Sequence, residues 1–347
     1  MRSTIEIGSR RVGAGYPVYV IAEIGSNHDA DLERAKELIA AAKEAGADAV
    51  KFQSFTAEGL INPLRPDDKG NWVAHPAFPV LQRLTVPEEW HAVLKKHCAS
   101  LGVTFLSAPF DPGRAELLNK LNIDAFKLAS GELTNDPLLR QVAAYGKPVI
   151  LSTGAAYLEE VRRAVEIITG EKNHQLAILH CASLYPPSYS DVNIRAMATL
   201  AREFGCPVGF SDHTPGSEVP VAAVALGASI IEKHITFDRR LKGPDHPYAM
   251  EVAEFRAMVN AIRNVEAALG SGVKEPSQNE MNERVGARRS IYAKVNIPRG
   301  EVITSDMVKL VRHAYGMEPR ELSGIIGRVA RRDLSKDMLV RSEDICE

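Results

Sequence analysis

Two lysines of this chain stand inside apolar stretches, where a charged side chain is unusual. Lys51 lies in AVKFQSF and Lys127 in AFKLAS. Burying an ammonium group without a partner costs on the order of several kcal/mol, so both lysines require an anionic partner. That partner is either an acidic side chain of the protein or an anionic ligand. Hydroxyl and glycine positions that could offer donors to a phosphate or carboxylate are Ser130, Gly131, Ser152, Thr153 and Gly154.

Two histidines, His213 and His234, end apolar runs that follow one another along the chain. If the runs are adjacent parallel strands, they lie about 4.8 Å apart, and both imidazoles could reach one ion. Imidazole nitrogens combined with oxygen partners suit a divalent transition metal such as Mn, Fe, Co or Zn. On spacing alone, a metal site and two unrelated polar residues are equally compatible with this pattern.

Two carboxylates accompany these groups. Glu23 ends the first apolar run, and Asp245 lies in GPDH on the loop after the last run. Glu23 could move a proton at a reacting aldehyde or serve only as the counter-ion of Lys51 or Lys127. Asp245 could orient a substrate. The residues predict an anion site beside a metal site, and aldol-type condensation, isomerisation and decarboxylation all fit.

One structural unit, an apolar run followed by a helical pattern, recurs eight times from residue 18 onward. The predicted strands are 18–25, 49–55, 104–110, 125–130, 148–154, 176–183, 207–214 and 229–236. The predicted helices lie near 31–45, 87–100, 112–121, 136–144, 158–169, 193–204, 217–226 and 251–269. Apolar strands alternating with amphipathic helices indicate a parallel sheet, because both of its faces are buried.

Eight such units in about 250 residues favour a (β/α)8 TIM barrel, whose functional side chains come from the C-terminal ends of the strands. An open doubly wound sheet is the alternative. Such a sheet normally has a glycine-rich phosphate turn after its first strand. The first strand here continues into GSNHD, which lacks that pattern.

The chain divides into a predicted barrel over residues 1–272, a polar linker over 273–285 and a small β-rich module over 286–347. Two long loops, 56–86 and 237–250, interrupt the barrel pattern, and loops of this length are often functional. The module has about 60 residues and therefore a modest core, so we expect it to dock on another surface.

The composition excludes several classes of protein. Lys plus Arg is 42 and Asp plus Glu is 44, so no global basic field attracts nucleic acid. Nowhere is there an uninterrupted apolar run of about 18 residues, so no membrane span is predicted. The N-terminus lacks the apolar core of a signal peptide. The cysteines, at 98, 181, 206 and 346, form no CxxC pair, which argues against structural zinc and suits a cytoplasmic location.

Seven motifs in order along the predicted strands and loops carry a family resemblance. They are IAEIGSNH at 21–28, KFQ at 51–53, FKLASGE at 126–132, LSTG at 151–154, GFSDHT at 209–214, EKH at 232–234 and GPDH at 243–246. Together they resemble the sialic acid synthase family, which comprises N-acetylneuraminate synthase and its legionaminate, pseudaminate and spore-coat polysaccharide relatives. The C-terminal module looks like the antifreeze-like (SAF, β-clip) domain of that family, so the resemblance covers nearly the whole chain.

The resemblance implies a transferase that condenses phosphoenolpyruvate with an open-chain N-acetylmannosamine-type sugar and releases phosphate. C3 of phosphoenolpyruvate would attack the aldehyde carbon, and water would capture the resulting cation at C2. The implied catalytic residues are Glu23, His213 and His234. The implied phosphoenolpyruvate-binding residues are Lys51, Lys127, Ser130, Gly131, Glu132 and Ser152. The implied sugar-binding residues are Gln53, Asn71, Tyr185, Asp245 and Arg312.

The resemblance also implies a cofactor and a partner. His213 and His234 would hold a divalent metal, Mn²⁺ foremost with Mg²⁺ or Co²⁺ as alternatives, which would polarise the aldehyde as a Lewis acid. A second copy of the chain would form a domain-swapped homodimer, in which the SAF domain of one subunit brings Arg312 to the barrel of the other.

Three positions depart from the family pattern. The family usually has Arg-Pro-Gly where this chain has Arg-His-Ala at 312–314, and Ala108 and Ser183 replace the threonine and asparagine common in neuraminate synthases. GPDH favours neuraminate or legionaminate over pseudaminate. Two alternatives therefore stay open. One is condensation of phosphoenolpyruvate with a different aldose for surface or spore-coat polysaccharide. The other is a non-catalytic glycan-binding barrel, against which the retained histidines and lysines argue.

Overall fold

The computed structural model describes residues 1–346, which form two compact units, Met1–Gly270 and the described residues from Ser271 onward. Eight parallel strands, numbered β1 to β8 along the chain, form the centre of the first unit. They are Tyr19–Gly25, Ala49–Ser54, Thr104–Pro109, Phe126–Leu128, Val149–Ser152, Leu176–Cys181, Val208–Asp212 and Ile230–Thr236. Hydrogen bonds join them in the order β3-β2-β1-β8-β7-β6-β5-β4, and the two end strands lie side by side. The sheet is thus a nearly closed barrel, which confirms the predicted fold class.

Helices cover the outside of the barrel. They are Leu32–Glu44, Glu88–Leu101, Pro112–Lys120, Asp136–Ala144, Leu158–Gly170, Ala196–Phe204, Glu218–Ala225 and Val252–Leu269. Local capping defines several starts: the Asp31 carboxylate accepts from the first-turn amides at 33 and 34, and Asp111 accepts from the amide of Arg114. Gly102 ends its helix with φ near 65°, a left-handed conformation that favours glycine.

The apolar core has two layers in this unit. One layer lies between the strands and the helices, and the other fills the barrel interior. A hairpin of strands Thr4–Ile7 and Arg10–Gly13, which the sequence did not predict, contributes Ile5, Ile7 and Val12 to the inner layer. These residues pack with Tyr19, which starts β1, so they close the N-terminal end of the barrel and leave the opposite end for polar side chains.

The two long loops contain short elements of their own. Loop 56–86 forms helices Ala57–Leu60 and Phe78–Leu84 and an exposed hairpin of Leu64–Pro66 with Trp72–Ala74. Loop 237–250 forms a 3-10 turn at His246–Tyr248, after which the short strand Met250–Glu251 pairs with β8. Further 3-10 turns lie at Ser130–Glu132 and Tyr189–Asp191.

No helix within residues 1–346 is both long enough and apolar enough to span a membrane.

The second unit has its own small core. Antiparallel strands Arg289–Ala293 and Val308–Arg312 pair with one another, and Ile291, Ile303 and Val340 are buried around them. Its helices are Met281–Ala287 and Leu322–Ile325, with 3-10 turns at Gln278–Glu280, Pro319–Glu321 and Ser342–Asp344. The range predicted as a linker, 273–285, therefore contains helical residues.

Candidate active site

A cavity of about 800 Å³ lies at the C-terminal ends of the barrel strands. Most of the predicted site residues line it: Glu23, Lys51, Gln53, Lys127, Ser130, Gly131, Ser152, Tyr185, His213, His234 and Asp245. This is the end of a parallel barrel at which catalytic side chains are found. One space therefore holds the side chains that the sequence distributes over more than 200 positions.

Three predicted site residues are not among those that line the cavity. Glu132 accepts a hydrogen bond from Asn135 (2.7 Å) on the turn that follows β4. Asn71 is exposed on the hairpin of loop 56–86, where its amide donates to Asp67. Arg312 belongs to the second unit. Their proposed roles rest on the family resemblance.

Strand alternation explains why particular side chains face the cavity. Successive residues of a strand point to opposite faces, so residues two apart share a face. Lys51 and Gln53 on β2 obey this rule, as do Glu232 and His234 on β8. Lys233, which lies between the latter two, does not line the cavity.

A buried cluster of two lysines and two glutamates forms the floor of the site. Lys51 Nζ lies 2.8 Å from Glu23 Oε2 and 3.9 Å from Glu232 Oε2. Lys127 Nζ lies 3.7 Å from Glu232 Oε1, which also accepts a hydrogen bond from Ser211 (2.9 Å). The protein thus supplies acidic partners for both lysines, and the cavity leaves room for an anionic ligand beside them.

Burial and charge act in opposite directions on these groups. Burial raises the pKa of Glu23 to about 7, although the Lys51 ammonium opposes the rise. Burial would raise the pKa of Glu232 as well, but Lys127 and Lys51 outweigh it and lower that pKa to about 2. Burial lowers the pKa of Lys127. Glu23 is therefore the carboxyl group of the cluster best suited to exchange a proton near neutral pH.

Hydrogen-bond donors converge beside Lys127 at the ends of β4 and β5. The Lys127 ammonium donates to Ser152 Oγ (2.6 Å), and the Gly154 amide donates to Ser130 Oγ (2.9 Å). A Cβ atom at Gly154 would lie 2.7 Å from Cys181 Sγ, so only glycine fits there without displacing its neighbours. An ammonium, hydroxyls and a closely approached backbone are suited to hold a phosphate or a carboxylate.

His213 and His234 lie side by side, with ring centroids 5.5 Å apart. Burial lowers the pKa of His213 to about 3 and that of His234 to about 4, so both imidazoles are neutral, the form that ligates metals. Nδ1 of His213 donates to the carbonyl of Ala182 (3.2 Å), which leaves Nε2 with its lone pair. Nδ1 of His234 is buried 4.0 Å from Asp245 Oδ2 and has no hydrogen-bond partner among residues 1–346.

This donor set fits a catalytic metal rather than a structural one. Within residues 1–346 no group of three or more His, Cys, Asp or Glu side chains could enclose an ion. An ion between the two imidazoles would therefore keep positions for water and substrate oxygen atoms, as catalytic sites do. Neutral imidazoles combined with oxygen ligands are typical of divalent transition metals.

Aromatic side chains and Asp245 form the wall above the imidazoles. Tyr185 lies 4.3 Å from the His213 ring and Tyr248 lies 5.0 Å from the His234 ring, measured between centroids. Asp245 accepts from the Tyr248 hydroxyl (2.7 Å) and from the amide of Ser26 (2.9 Å). These contacts hold loop 237–250 over the site.

Three residues of the site were given no role in the sequence prediction: Ser211, Glu232 and Tyr248. Glu232 and Ser211 carried a usable signal, because each lies two residues before a predicted metal-binding histidine and so shares its direction. Tyr248 carried no signal, since its position depends on the path of loop 237–250.

The fold and the cavity define a class: a parallel barrel whose cavity holds a buried cluster of lysines and glutamates beside two neutral imidazoles, at the end where such barrels carry their active sites. Within that class, the chain belongs to the NeuB family, whose model matches residues 38–274, and a SAF domain matches residues 288–345. Family membership confirms the predicted relation to sialic acid synthases and the predicted enzyme class, a phosphoenolpyruvate-dependent synthase.

Several relatives resemble the chain over nearly its whole length. It is 43% identical to an uncharacterized protein, MJ1065, of Methanocaldococcus jannaschii, over 98% of each chain. It is 42% identical to the N,N'-diacetyllegionaminic acid synthase of Legionella pneumophila, over 94% of each chain. The crystal structure of an N-acetylneuraminic acid (sialic acid) synthetase from Leptospira borgpetersenii in complex with citrate has 34% identity and a TM-score of 0.74, covering 81% of this chain and 94% of that one.

Proposed function

We propose that this protein is a nonulosonic acid synthase that condenses phosphoenolpyruvate with an open-chain N-acetylmannosamine-type sugar, adds water and releases phosphate. The observation that carries the proposal is a single cavity lined both by the lysines Lys51 and Lys127 and by the imidazoles of His213 and His234. The first group suits a substrate with a phosphate and a carboxylate. The second suits the carbonyl group of a sugar.

Phosphoenolpyruvate would occupy the side of the cavity that Lys127 and Ser152 form. Lys51, Ser130 and the backbone around Gly131 are the other donors that we assign to it. Because Glu232 already holds both lysines in place, the donors do not have to reorganise when the substrate binds. Such preorganised charge is worth more in a buried site than in water.

Glu23 would move the proton that the addition of water at C2 requires. Gln53 donates to its Oε1 (2.9 Å), and Lys51 lies beside its Oε2. The raised pKa of Glu23 suits a group that takes up and returns a proton near neutral pH. A trianionic substrate would raise that pKa further, because like charge disfavours the carboxylate.

His213 and His234 would hold the divalent metal, which we propose to be Mn²⁺, with Mg²⁺ or Co²⁺ as substitutes. When bound, such an ion supplies Lewis-acid polarisation of the sugar aldehyde. The rings of Tyr185 and Tyr248 cover the imidazoles and limit the access of water.

The sugar would lie between the imidazoles and the cavity mouth, against Gln53, Tyr185 and Asp245. We propose that Asn71 of the exposed hairpin also contacts it. Arg312 would come from the SAF domain of a second copy in a domain-swapped homodimer. The Arg-His-Ala sequence at 312–314 bears on which substituent of the sugar is recognised.

A cytoplasmic location remains a prediction from the cysteine pattern.

A substrate panel tests the proposal. Purified protein is incubated with phosphoenolpyruvate, Mn²⁺ and aldoses that differ in their acetamido groups, and the products are identified by mass spectrometry. A 2-keto acid three carbons longer than a 2-acetamido sugar is the expected product. Turnover of non-acetylated aldoses alone would favour the different-aldose alternative. Sugar binding in calorimetry without any product would favour the glycan-binding barrel.

A further inference from the structure

A buried ion pair lies directly behind the two predicted metal-binding histidines. Asp212 on β7 and Lys233 on β8 are register partners in the sheet, and their side chains are 0% and 1% exposed. Lys233 Nζ lies 2.5 Å from Asp212 Oδ2. Neither residue lines the cavity, so the pair occupies the side of the strands that faces away from substrate.

The ammonium of Lys233 has an acceptor for each of its three protons. They are the Asp212 carboxylate and the backbone carbonyls of Thr214 and Gly216. Asp212 accepts in addition from the amide of Thr214 (2.9 Å) and from its hydroxyl (3.1 Å). The pair thereby fixes the segment 212–216 against β8 through directional contacts.

Each histidine follows one member of this pair in the sequence. His213 lies between Asp212 and Thr214, inside the fixed segment, and His234 follows Lys233 on β8. A change in the position of either charged group would therefore move the backbone that carries the neighbouring imidazole. The 5.5 Å between the ring centroids depends on how the segment and the strand are held together.

We propose that Asp212 and Lys233 are positioning residues that set the separation of the His213 and His234 imidazoles and, through it, the affinity for a divalent ion. This inference rests on the proposed function, because it presumes that the imidazoles bind a metal. A buried ion pair is not required for stability, since well-packed apolar replacements are often neutral or stabilising. An apolar pair cannot, however, hold the carbonyls at 214 and 216 in place.

The experiment separates stability from positioning with the double variant Asp212→Leu/Lys233→Met, which removes both charges together. Thermal unfolding of the chelated protein measures stability, and electron paramagnetic resonance of free Mn²⁺ measures affinity. We expect metal-free unfolding close to wild type and Mn²⁺ affinity about 10- to 100-fold weaker, the usual effect of losing support behind a metal ligand. The Lys233→Arg variant keeps the charge but changes the shape of the cationic group. It should fold, and its Mn²⁺ affinity should lie between that of the wild type and that of the double variant.

A control variant tests whether a loss of stability alone would weaken Mn²⁺ binding. Arg263→Met removes the cation 3.1 Å from Asp48, which precedes β2 at the opposite end of the barrel. It should lower stability and leave Mn²⁺ affinity unchanged.

Two results overturn different claims. A wild-type protein that binds no Mn²⁺ contradicts the proposed metal site itself. If the wild-type protein binds Mn²⁺ and the folded double variant binds it equally well, only the positioning role is overturned. If the double variant does not fold, the Lys233→Arg variant decides the question. The positioning role is then overturned if the Mn²⁺ affinity of Lys233→Arg is within twofold of that of the wild type.

Discussion

The ammonium of Lys127 lies 3.7 Å from the carboxylate of Glu232, and both side chains are buried at the end of the barrel. Glu232 also lies 3.9 Å from Lys51, so one carboxylate serves two lysines. The Glu232 carboxylate opposes the lowering of the Lys127 pKa that burial causes, and it attracts both ammonium groups. An anionic substrate then meets a site that is already assembled, which is the condition for strong electrostatic stabilisation.

Replacing Lys127 with Met tests the anion site. We expect kcat/KM for phosphoenolpyruvate to fall roughly 100- to 1,000-fold, because a charge-assisted contact is lost in a buried site. Steady-state kinetics with varied phosphoenolpyruvate measures the effect. Lys95→Met is the control, since Lys95 donates to the carbonyl of Leu121 and does not line the cavity. An unchanged kcat/KM in a folded Lys127→Met protein would contradict the proposal that phosphoenolpyruvate binds beside Lys127.

Two glycines at the proposed phosphoenolpyruvate site provide a matched comparison. A Cβ at Gly154 would collide with Ser183 Oγ and lie 2.7 Å from Cys181 Sγ, whereas a Cβ at Gly131 has open space around it. Gly154→Ala should therefore raise KM for phosphoenolpyruvate at least about 10-fold by displacing the hydroxyls that hold the anion. Gly131→Ala should change it little, because its backbone donors remain. Equal effects of the two substitutions would mean that the space at Gly154 does not matter for substrate.

Metal removal tests the imidazole pair. Chelation should abolish turnover, and Mn²⁺ should restore it, because the proposed chemistry needs a Lewis acid. His213→Ala should lose Mn²⁺ binding in calorimetry without unfolding. The control is His180→Gln: His180 is half-buried on β6, does not line the cavity, and its Nε2 pairs with the carbonyl of Val192. Full turnover in the presence of a chelator would show that the reaction uses no dissociable metal.

The proposed domain swap predicts complementation between two inactive variants. Lys127→Met removes a proposed substrate-binding side chain from the barrel, and Arg312→Ala removes the proposed contribution of the SAF domain. In a swapped dimer, a mixed pair contains one intact barrel that receives an intact Arg312 from its partner. Dissociating and reassociating the two proteins should then restore roughly a quarter of the wild-type sites, as random pairing of two subunit types gives. If the mixed dimers stay inactive, Arg312 acts at the barrel of its own subunit or at neither barrel.

The repeat of strands and helices was readable from the sequence because both faces of a parallel strand are buried and its apolar run is continuous. Lys51 and Lys127 stood out for the same reason, since a charge interrupts such a run. Glu232 did not stand out beside Lys233 and His234. Only the alternation of β8 separates Glu232 and His234, which face the cavity, from Lys233, which turns away.

Other features depend on chain path rather than on local pattern. The hairpin at 4–13 closes the barrel through Ile5, Ile7 and Val12, but its short strands carry too little periodicity to predict. Tyr248 reaches the imidazoles because Asp245 and His246 hold loop 237–250 in place, through Ser26 and Asp29 respectively. Contacts between distant residues such as these are not encoded in any single motif.

The most direct test of the proposed reaction is the stoichiometry of phosphate release from phosphoenolpyruvate. We predict that phosphate and a 2-keto acid appear in equal amounts, and only when a 2-acetamido sugar and a divalent metal are both present. Phosphate release that does not depend on the sugar would contradict it. So would the absence of phosphate release with every 2-acetamido sugar from folded protein that binds Mn²⁺.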